Sequence, residues 1–331
     1  MKPQLIIHIG AAKAGSSAIQ GYLRLNYKLL EHRGIVVPGP DLQRGSEVTG
    51  EHIWLMEQLR ADPTEGANAI MRRLARLQAE RKNKETRAYI ISAENLSNSM
   101  QHEFLFTKLT DLFVIKVVIY IRRQDEFLCS SWQQWGLKRN GDFWSWLLNN
   151  IGTKANWELV INPWAELYGK ENVFVRIFES QRLKEGSLIS DFCSICDIQM
   201  DGLQPQVGML NPSYNLAIQE MAHEARVLFD GIHDNEFYQM VSDLTGDRYH
   251  KNDQESFLSV AQRNAILSHY EASNQIVKAE YFSELGLDEN LFSTVRPNHR
   301  IVNQFDINMQ KHTIHTDLLF NLYMRLKKLE R

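Results

Sequence analysis

The order of residue patterns predicts an α/β fold: a central parallel sheet flanked by helices, with a helical C-terminal cover. Three observations carry that prediction. Short apolar runs without alternation recur between helix-periodic stretches, as in strands buried on both faces of a parallel sheet. A glycine-containing turn follows the first run and opens a helix. From about Asn211 the alternation stops, and only helical periodicity remains.

The first strand runs from Leu5 to Ile9. The first helix runs from Ser17 to Leu30, with Ile19, Tyr22, Leu23, Tyr27 and Leu30 at helical spacing. A brief strand, Ile35 to Val37, is closed by Pro38-Gly39-Pro40. Glu51 to Lys84 reads as mostly helical, broken near Pro63, with charges on its outer face. Ala88 to Ser92 and Phe113 to Ile121 are continuous apolar runs and therefore buried strands. Helical spacing follows from Asp125 through Trp135 and from Trp157 to Tyr168. Val173 to Phe178 is a strand, and a helix covers about Leu188 to Cys196. Beyond that, Tyr214 to Phe229, Asp234 to Leu244, Gln254 to Phe282 and Thr313 to Leu329 all read as helices.

At about 150 residues per domain, a chain of 331 residues admits two domains or one large one. No repeat and no linker rich in Gly, Pro or Ser appears. The expectation is therefore one domain over 1–331, with an α/β core over 1–200 and a cover over 205–331 that does not fold alone. The 18 Gly and 8 Pro exclude a fibrous or low-complexity chain. With 37 basic and 40 acidic residues the net charge is −3, so no global field advertises nucleic acid or an anionic surface. A bound anion needs a local site. Three cysteines make no disulfide framework and fit a reducing compartment, which points to a cytoplasmic protein. Leu5-Ile6-Ile7 with Ala12-Lys13-Ala14 imitates a signal peptide, but His8 interrupts an apolar run already too short. The longest apolar stretch, Leu112 to Ile121, contains Lys116 and falls short of the roughly 18 residues of a membrane span.

The strongest chemical signal is Gly10-Ala-Ala-Lys13-Ala14-Gly15-Ser16-Ser17, set between a strand and a helix. Its glycines and final Ser match the phosphate-loop spacing G-x-x-x-x-G-K-[ST], which makes the sheet P-loop-like. Backbone amides at such a helix start form an anion cradle. One position departs: Ser16 follows the second glycine, and the lysine stands inside the loop at Lys13. The second signal is Val118-Ile-Tyr-Ile-Arg122-Arg123, which brings Arg122 out at the carboxyl end of a strand, where open α/β sheets bind ligands. Its planar fork suits a phosphate dianion. Ser130, eight residues on, adds a hydroxyl from the following helix.

Together these segments resemble the two cofactor-binding motifs of the sulfotransferases that use 3′-phosphoadenosine 5′-phosphosulfate (PAPS). In that family a Lys-x-Gly-[ST]-[ST] loop cradles the 5′-phosphosulfate, and Lys13-Ala14-Gly15-Ser16-Ser17 stands in that place. A strand-end Arg and a Ser eight residues later grip the 3′-phosphate, and here they are Arg122 and Ser130. His8-Ile-Gly-Ala-Ala-Lys13, Arg122-Arg-Gln-Asp-Glu-Phe and Ser131-Trp-Gln-Gln134 with Lys138 are most similar to the bacterial, carbohydrate-directed branch. The likeness is motif-level over about residues 4–140 and looser through Val173 to Ile198 and Asn211-Pro-Ser213. Ser16-Ser17 stands where members often have Thr-Thr, and Ala12 where many have Pro.

The resemblance implies sulfuryl transfer from PAPS to a hydroxyl acceptor, in that branch a saccharide, with adenosine 3′,5′-bisphosphate released and no metal required. An ammonium at position 13 then meets charge developing on the leaving phosphate. Glu94, just past the Ala88 to Ser92 strand, fits the slot of the general base; His52, beside Glu51, is the second candidate. Cys193-x-x-Cys196 is a lone pair in a helical pattern and reads as core. Trp132, Trp135, Trp144 and Trp146 are either core or a platform for a sugar or adenine. Two rival functions remain: a P-loop kinase-like nucleotide enzyme with Glu94 on a metal, and a non-catalytic nucleotide-binding or scaffold protein.

Overall fold

The computed structural model describes residues 2–11, 13–39, 42, 62–80, 85–97, 109–137, 142–205, 214–230, 234–250, 255–286, 289–295 and 300–329. Their elements run, in chain order, β1 (Gln4–His8), α1 (Ser16–His32), β2 (Ile35–Val36), α2 (Pro63–Glu80) and β3 (Ala88–Ser92). Next come β4 (Val114–Ile121), α3 (Gln124–Ser131), α4 (Phe143–Asn150), α5 (Trp157–Tyr168), β5 (Val173–Ile177) and α6 (Leu188–Ile195). The remainder is α7 (Leu216–Glu224), α8 (Glu236–Thr245), β6 (Glu255–Ser256), α9 (Val260–His269), α10 (Glu271–Tyr281), β7 (Arg300–Ile301) and α11 (Gln304–Leu329).

Two compact units share these elements. The first comprises Met1–Arg123, Ala155–Leu210 and Glu271–Phe292; the second comprises Gln124–Lys154, Asn211–Tyr270 and Ser293–Arg331. The units interleave along the chain, unlike a division near residue 200.

In the first unit five strands form one sheet of order β2-β3-β1-β4-β5, every pair parallel. Leu5, Ile6 and Ile7 of β1 and all five residues of β3 are buried, as unalternating apolar runs require. The chain leaves β1 for one side of the sheet, fills β2 and β3 there, and then crosses to β4 on the other side. The reversal of strand order at β1 and β4 is where such sheets open a ligand crevice at their carboxyl ends. Helix α1 buries Ile19, Tyr22, Leu23 and Leu30, the stripe its sequence spacing predicts. Helix α2 starts at Pro63, whose missing N–H costs nothing there, while the Asp62 carboxylate accepts from the N–H groups of Thr64 and Glu65. Helix α6 is tied to the sheet through Asp191, buried, which takes bonds from Arg176 at 2.5 and 2.9 Å and from the Tyr120 hydroxyl at 2.9 Å. Helix α10, read from sequence as part of a C-terminal cover, packs on α5 in this unit, and Ser273 donates to the Asn156 side chain at 2.7 Å.

The second unit is built from helices, with one exception. Glu255–Ser256 and Arg300–Ile301 pair as a short parallel ladder, where the sequence predicts no strand. Two residues per strand leave no period to detect. Buried Asp125 of α3 and Arg263 of α9 form an ion pair at 2.8 Å. Trp132 opens a single π-helical turn, Trp132–Gly136, and packs edge-on to Phe143 and tilted on Phe257. That places it in an aromatic cluster of this unit, whereas Trp144 is exposed. A second core joins Ile218, Val241 and Ile314 from α7, α8 and α11. Helix α11 begins at Gln304, nine residues before the predicted Thr313, because Asn303 accepts from the Asp306 N–H and supplies the missing start signal.

Candidate functional site

The carboxyl end of the sheet in the first unit gathers most of the sequence-predicted residues. The segment after β1 is a tight loop of unusual backbone: Gly10 at φ 43°, Lys13 at φ 65° and Gly15 at φ 88° all lie in the left-handed region. Gly10 has no room for a side chain. A Cβ there would lie 2.6 Å from the Ser16 hydroxyl and 3.3 Å from the Glu94 Cα. At Gly15 a Cβ would overlap the Leu188 side chain at the start of α6, and a φ of 88° strains any residue with a Cβ. Gly15 is the N-cap of α1, and no side chain caps the helix. A left-handed loop that ends on such a helix start presents backbone N–H groups and the positive end of the dipole to an anion.

Ser16 and Ser17 do different things. Ser16 is buried, and its hydroxyl turns back to the Ala11 carbonyl at 3.2 Å, inside the loop. Ser17 is half-buried on the first turn. Ala14 is buried, and its N–H donates to the Ala11 carbonyl at 3.2 Å, closing the loop's turn. Lys13, half-buried, supplies a carbonyl that accepts from the Arg122 guanidinium at 2.9 Å. A span of 109 residues is thereby closed at one point. Arg122 follows the last residue of β4, and its own carbonyl accepts from the buried Trp157 indole at 2.9 Å. The two sequence motifs thus meet at the β1–β4 edge.

Glu94 stands two residues beyond β3, half-buried, and opens a single 3-10 turn over Glu94–Ser97. That turn is fastened to the loop by Ser97, whose hydroxyl lies 2.5 Å from the Gly10 carbonyl and 2.8 Å from that of Glu94. Sequence reasoning passed over Ser97, since nothing in a Ser three residues after a Glu signals a link to a loop eighty-seven positions earlier.

It also passed over His8. The ring is fully buried at the end of β1, and its Nδ1 lies 2.8 Å from the Ser92 hydroxyl, its register partner on β3. Tyr120 and Phe192 meet it edge-on, and its Cε1 lies 3.2 Å from where a Gly10 Cβ would stand. Burial lowers its pKa to about 3, so it is a neutral floor beneath the loop. A His and a Ser that both end buried strands were the available signal.

Ser130 lies on α3, half-buried, in the second unit. His52 lies outside the described residues, as do Ala12, Lys138, Arg139 and Asn211-Pro-Ser213. Cys193 and Cys196 are buried on α6, and burial pushes the Cys193 thiol up to about 11, which makes it inert.

No protein-family model matches the chain. An uncharacterised protein of Archaeoglobus fulgidus is 24% identical over 204 residues, covering 58% of this chain and 53% of its own length, so the match spans about half of that relative. Among solved structures, a sulfotransferase from Alicyclobacillus acidocaldarius is similar at 17% identity and a TM-score of 0.38, over 63% of this chain and 87% of that one.

Proposed function

We propose that this chain is a sulfotransferase that moves the sulfuryl group of PAPS to a hydroxyl of an acceptor, a saccharide or glycoconjugate, and releases adenosine 3′,5′-bisphosphate. The observation that carries the reading is the bond from Arg122 to the Lys13 carbonyl, which brings a lysine-bearing anion loop and a strand-end arginine to one edge of the sheet. The backbone N–H groups of Gly15, Ser16 and Ser17, with the Ser17 hydroxyl, hold the 5′-phosphosulfate, while Ala14 closes the turn on the Ala11 carbonyl. Glycine at positions 10 and 15 allows the left-handed backbone on which such a loop depends. Arg122 holds the 3′-phosphate by charge-assisted bonds; Ser130 is assigned to it by the motif resemblance alone.

In the reaction the acceptor oxygen attacks sulfur as its proton passes to the Glu94 carboxylate. The bond from sulfur to the 5′-phosphate oxygen breaks, and its electron pair leaves on that oxygen, where the Lys13 ammonium offsets the growing charge. His52 is the alternative base. The three cysteines are buried free thiols, in keeping with a reducing cytoplasm.

Calorimetry of the full chain with adenosine 3′,5′-bisphosphate in the presence of a chelator tests the reading, followed by incubation with labelled PAPS and a panel of glycans. Binding without added metal and label transfer to a glycan are expected. Magnesium-dependent binding of ATP in preference to the bisphosphate would make the chain a kinase-like nucleotide enzyme. Tight bisphosphate binding with no transfer to any hydroxyl acceptor would make it a non-catalytic nucleotide-binding protein.

A further inference from the structure

The anion loop and the Glu94 turn stand on different strands: the loop continues β1, and the turn continues β3. The ladder of the sheet holds both segments near their starts. The His8 carbonyl accepts from the Ala93 N–H at 3.0 Å, and the Ile9 N–H donates to the Val118 carbonyl at 3.0 Å. Up to that point the register of β1 and β3 is fixed, and His8 Nδ1 lies 2.8 Å from the Ser92 hydroxyl. Beyond it each segment leaves the sheet, so the spacing of loop and turn is set by contacts made outside the ladder.

The Ser97 hydroxyl makes such a contact. Ser97 is half-buried, and its Oγ lies 2.8 Å from the Glu94 carbonyl and 2.5 Å from the Gly10 carbonyl. The first is the ordinary back-bond of a serine to the carbonyl three residues earlier. The second is not local, since it joins the turn to a loop 87 residues away. Gly10 is the point where loop and turn come closest. Its φ of 43° swings the chain out of β1, and a Cβ there would stand 3.3 Å from the Glu94 Cα. Glycine lets the two backbones approach, and the Ser97 hydroxyl fastens them at that approach.

We propose that Ser97 is a positioning residue, which acts through the Gly10 carbonyl to hold the Glu94 turn in place against the anion loop. The proposal rests on the sulfuryl-transfer reading above, with Glu94 as the base. A general base works from a fixed place, and a displacement of about 1 Å costs up to about 10²-fold in rate. Anion binding depends instead on the N–H groups of Gly15, Ser16 and Ser17, to which Ser97 makes no bond; its two partners are carbonyls of Gly10 and Glu94. Loss of the hydroxyl therefore acts on turnover and spares the affinity for the nucleotide.

Label transfer from PAPS and calorimetry with adenosine 3′,5′-bisphosphate, applied to the full chain, Ser97→Ala, Glu94→Gln and the double variant, test the proposal. Ser97→Ala should lower kcat by about 10–100-fold, with bisphosphate affinity within about threefold of the parent. In the Glu94→Gln background the same change should alter kcat by less than about twofold, because the group it positions is already gone. A normal kcat in Ser97→Ala overturns the proposal. So does an equal loss in both backgrounds, since Ser97 would then act independently of Glu94. A fall in bisphosphate affinity as large as the fall in kcat also overturns it and makes Ser97 a support of the loop. Failure of the sulfuryl-transfer reading shows in the parent chain, which would move no label, and the proposal falls with it.

Discussion

Helix α1 and five other helices of the chain begin in different ways. Helices α4, α5, α6, α7 and α9 start after Asp142, Asn156, Ser187, Asn215 and Ser259, whose side chains accept bonds from N–H groups of their own first turns. The Ser259 N–H in return donates to the Gln262 side-chain oxygen, a complete capping box. Helix α1 starts after Gly15 in the left-handed region, with no side-chain cap. The capped starts satisfy their own backbone, whereas α1 stands behind a strained loop that closes on Arg122 and Ser97. A missing cap alone does not mark a site, since α8 also starts without one after Asn235; what separates α1 from α8 is the left-handed loop before it.

The largest effect expected from breaking the α1 end is catalytic. Glu94→Gln should lower kcat by roughly 10²–10⁴-fold, the usual contribution of a positioned base, with PAPS affinity kept within a few-fold. The acidic limb of the pH–rate profile should flatten in this variant. If His52→Ala loses that limb instead and Glu94→Gln turns over normally, the two roles exchange.

Arg122→Ala is expected to weaken adenosine 3′,5′-bisphosphate by about 1.5–3 kcal/mol in calorimetry while adenosine 5′-monophosphate binds nearly as before. Equal losses for both ligands would mean that Arg122 acts only by holding the Lys13 carbonyl and shaping the loop.

His8 sharpens the comparison from beneath the loop. Its pKa, lowered by burial to about 3, lies below the ordinary 6.5, so the unfolded chain takes up the proton first. Stability is therefore lost as pH falls from 6.5 toward 3, with a slope from this residue of up to about 1.4 kcal/mol per pH unit. Denaturant unfolding of His8→Asn at several pH values should show a shallower fall than the parent over that window. Parallel curves would remove His8 as the source.

The smallest effect belongs to a capped start. Ser259→Ala should cost about 1 kcal/mol of stability by denaturant unfolding and leave bisphosphate affinity unchanged. A loss of affinity there would show that capped starts are coupled to the site, and the contrast with α1 would fall.

Local pattern was enough to identify the sheet strands and the loop. Leu5 to Ile9 and Ala88 to Ser92 are buried on both sides, so their composition alone reports their state, while Val173 to Phe178 buries Val173, Val175 and Ile177 on one side and leaves the other half-buried. Gly10 and Gly15 mark a loop that only glycine can complete, and their spacing is visible without any contact. Helix α4 and the first turns of α11 escape the sequence reading, which takes Trp144 and Trp146 only as core or a platform for a ring and begins the last helix at Thr313. Their starts are set by local caps, Asp142 accepting from the N–H groups of Trp144 and Ser145 and Asn303 from that of Asp306.

The sequence by itself determined the parallel α/β sheet, the glycine-bounded loop at Gly10 to Ser17 and the placing of Glu94 and Arg122 just beyond strand ends, since each depends on period, spacing or glycine. Only the tertiary structure decided that Arg122 reaches the Lys13 carbonyl, that Ser97 fastens the Glu94 turn to Gly10, that His8 is neutral and that α10 packs with the sheet unit. Those features depend on contacts between segments tens of residues apart or more. Their partners come together through strand order and burial, which no local window of the chain contains.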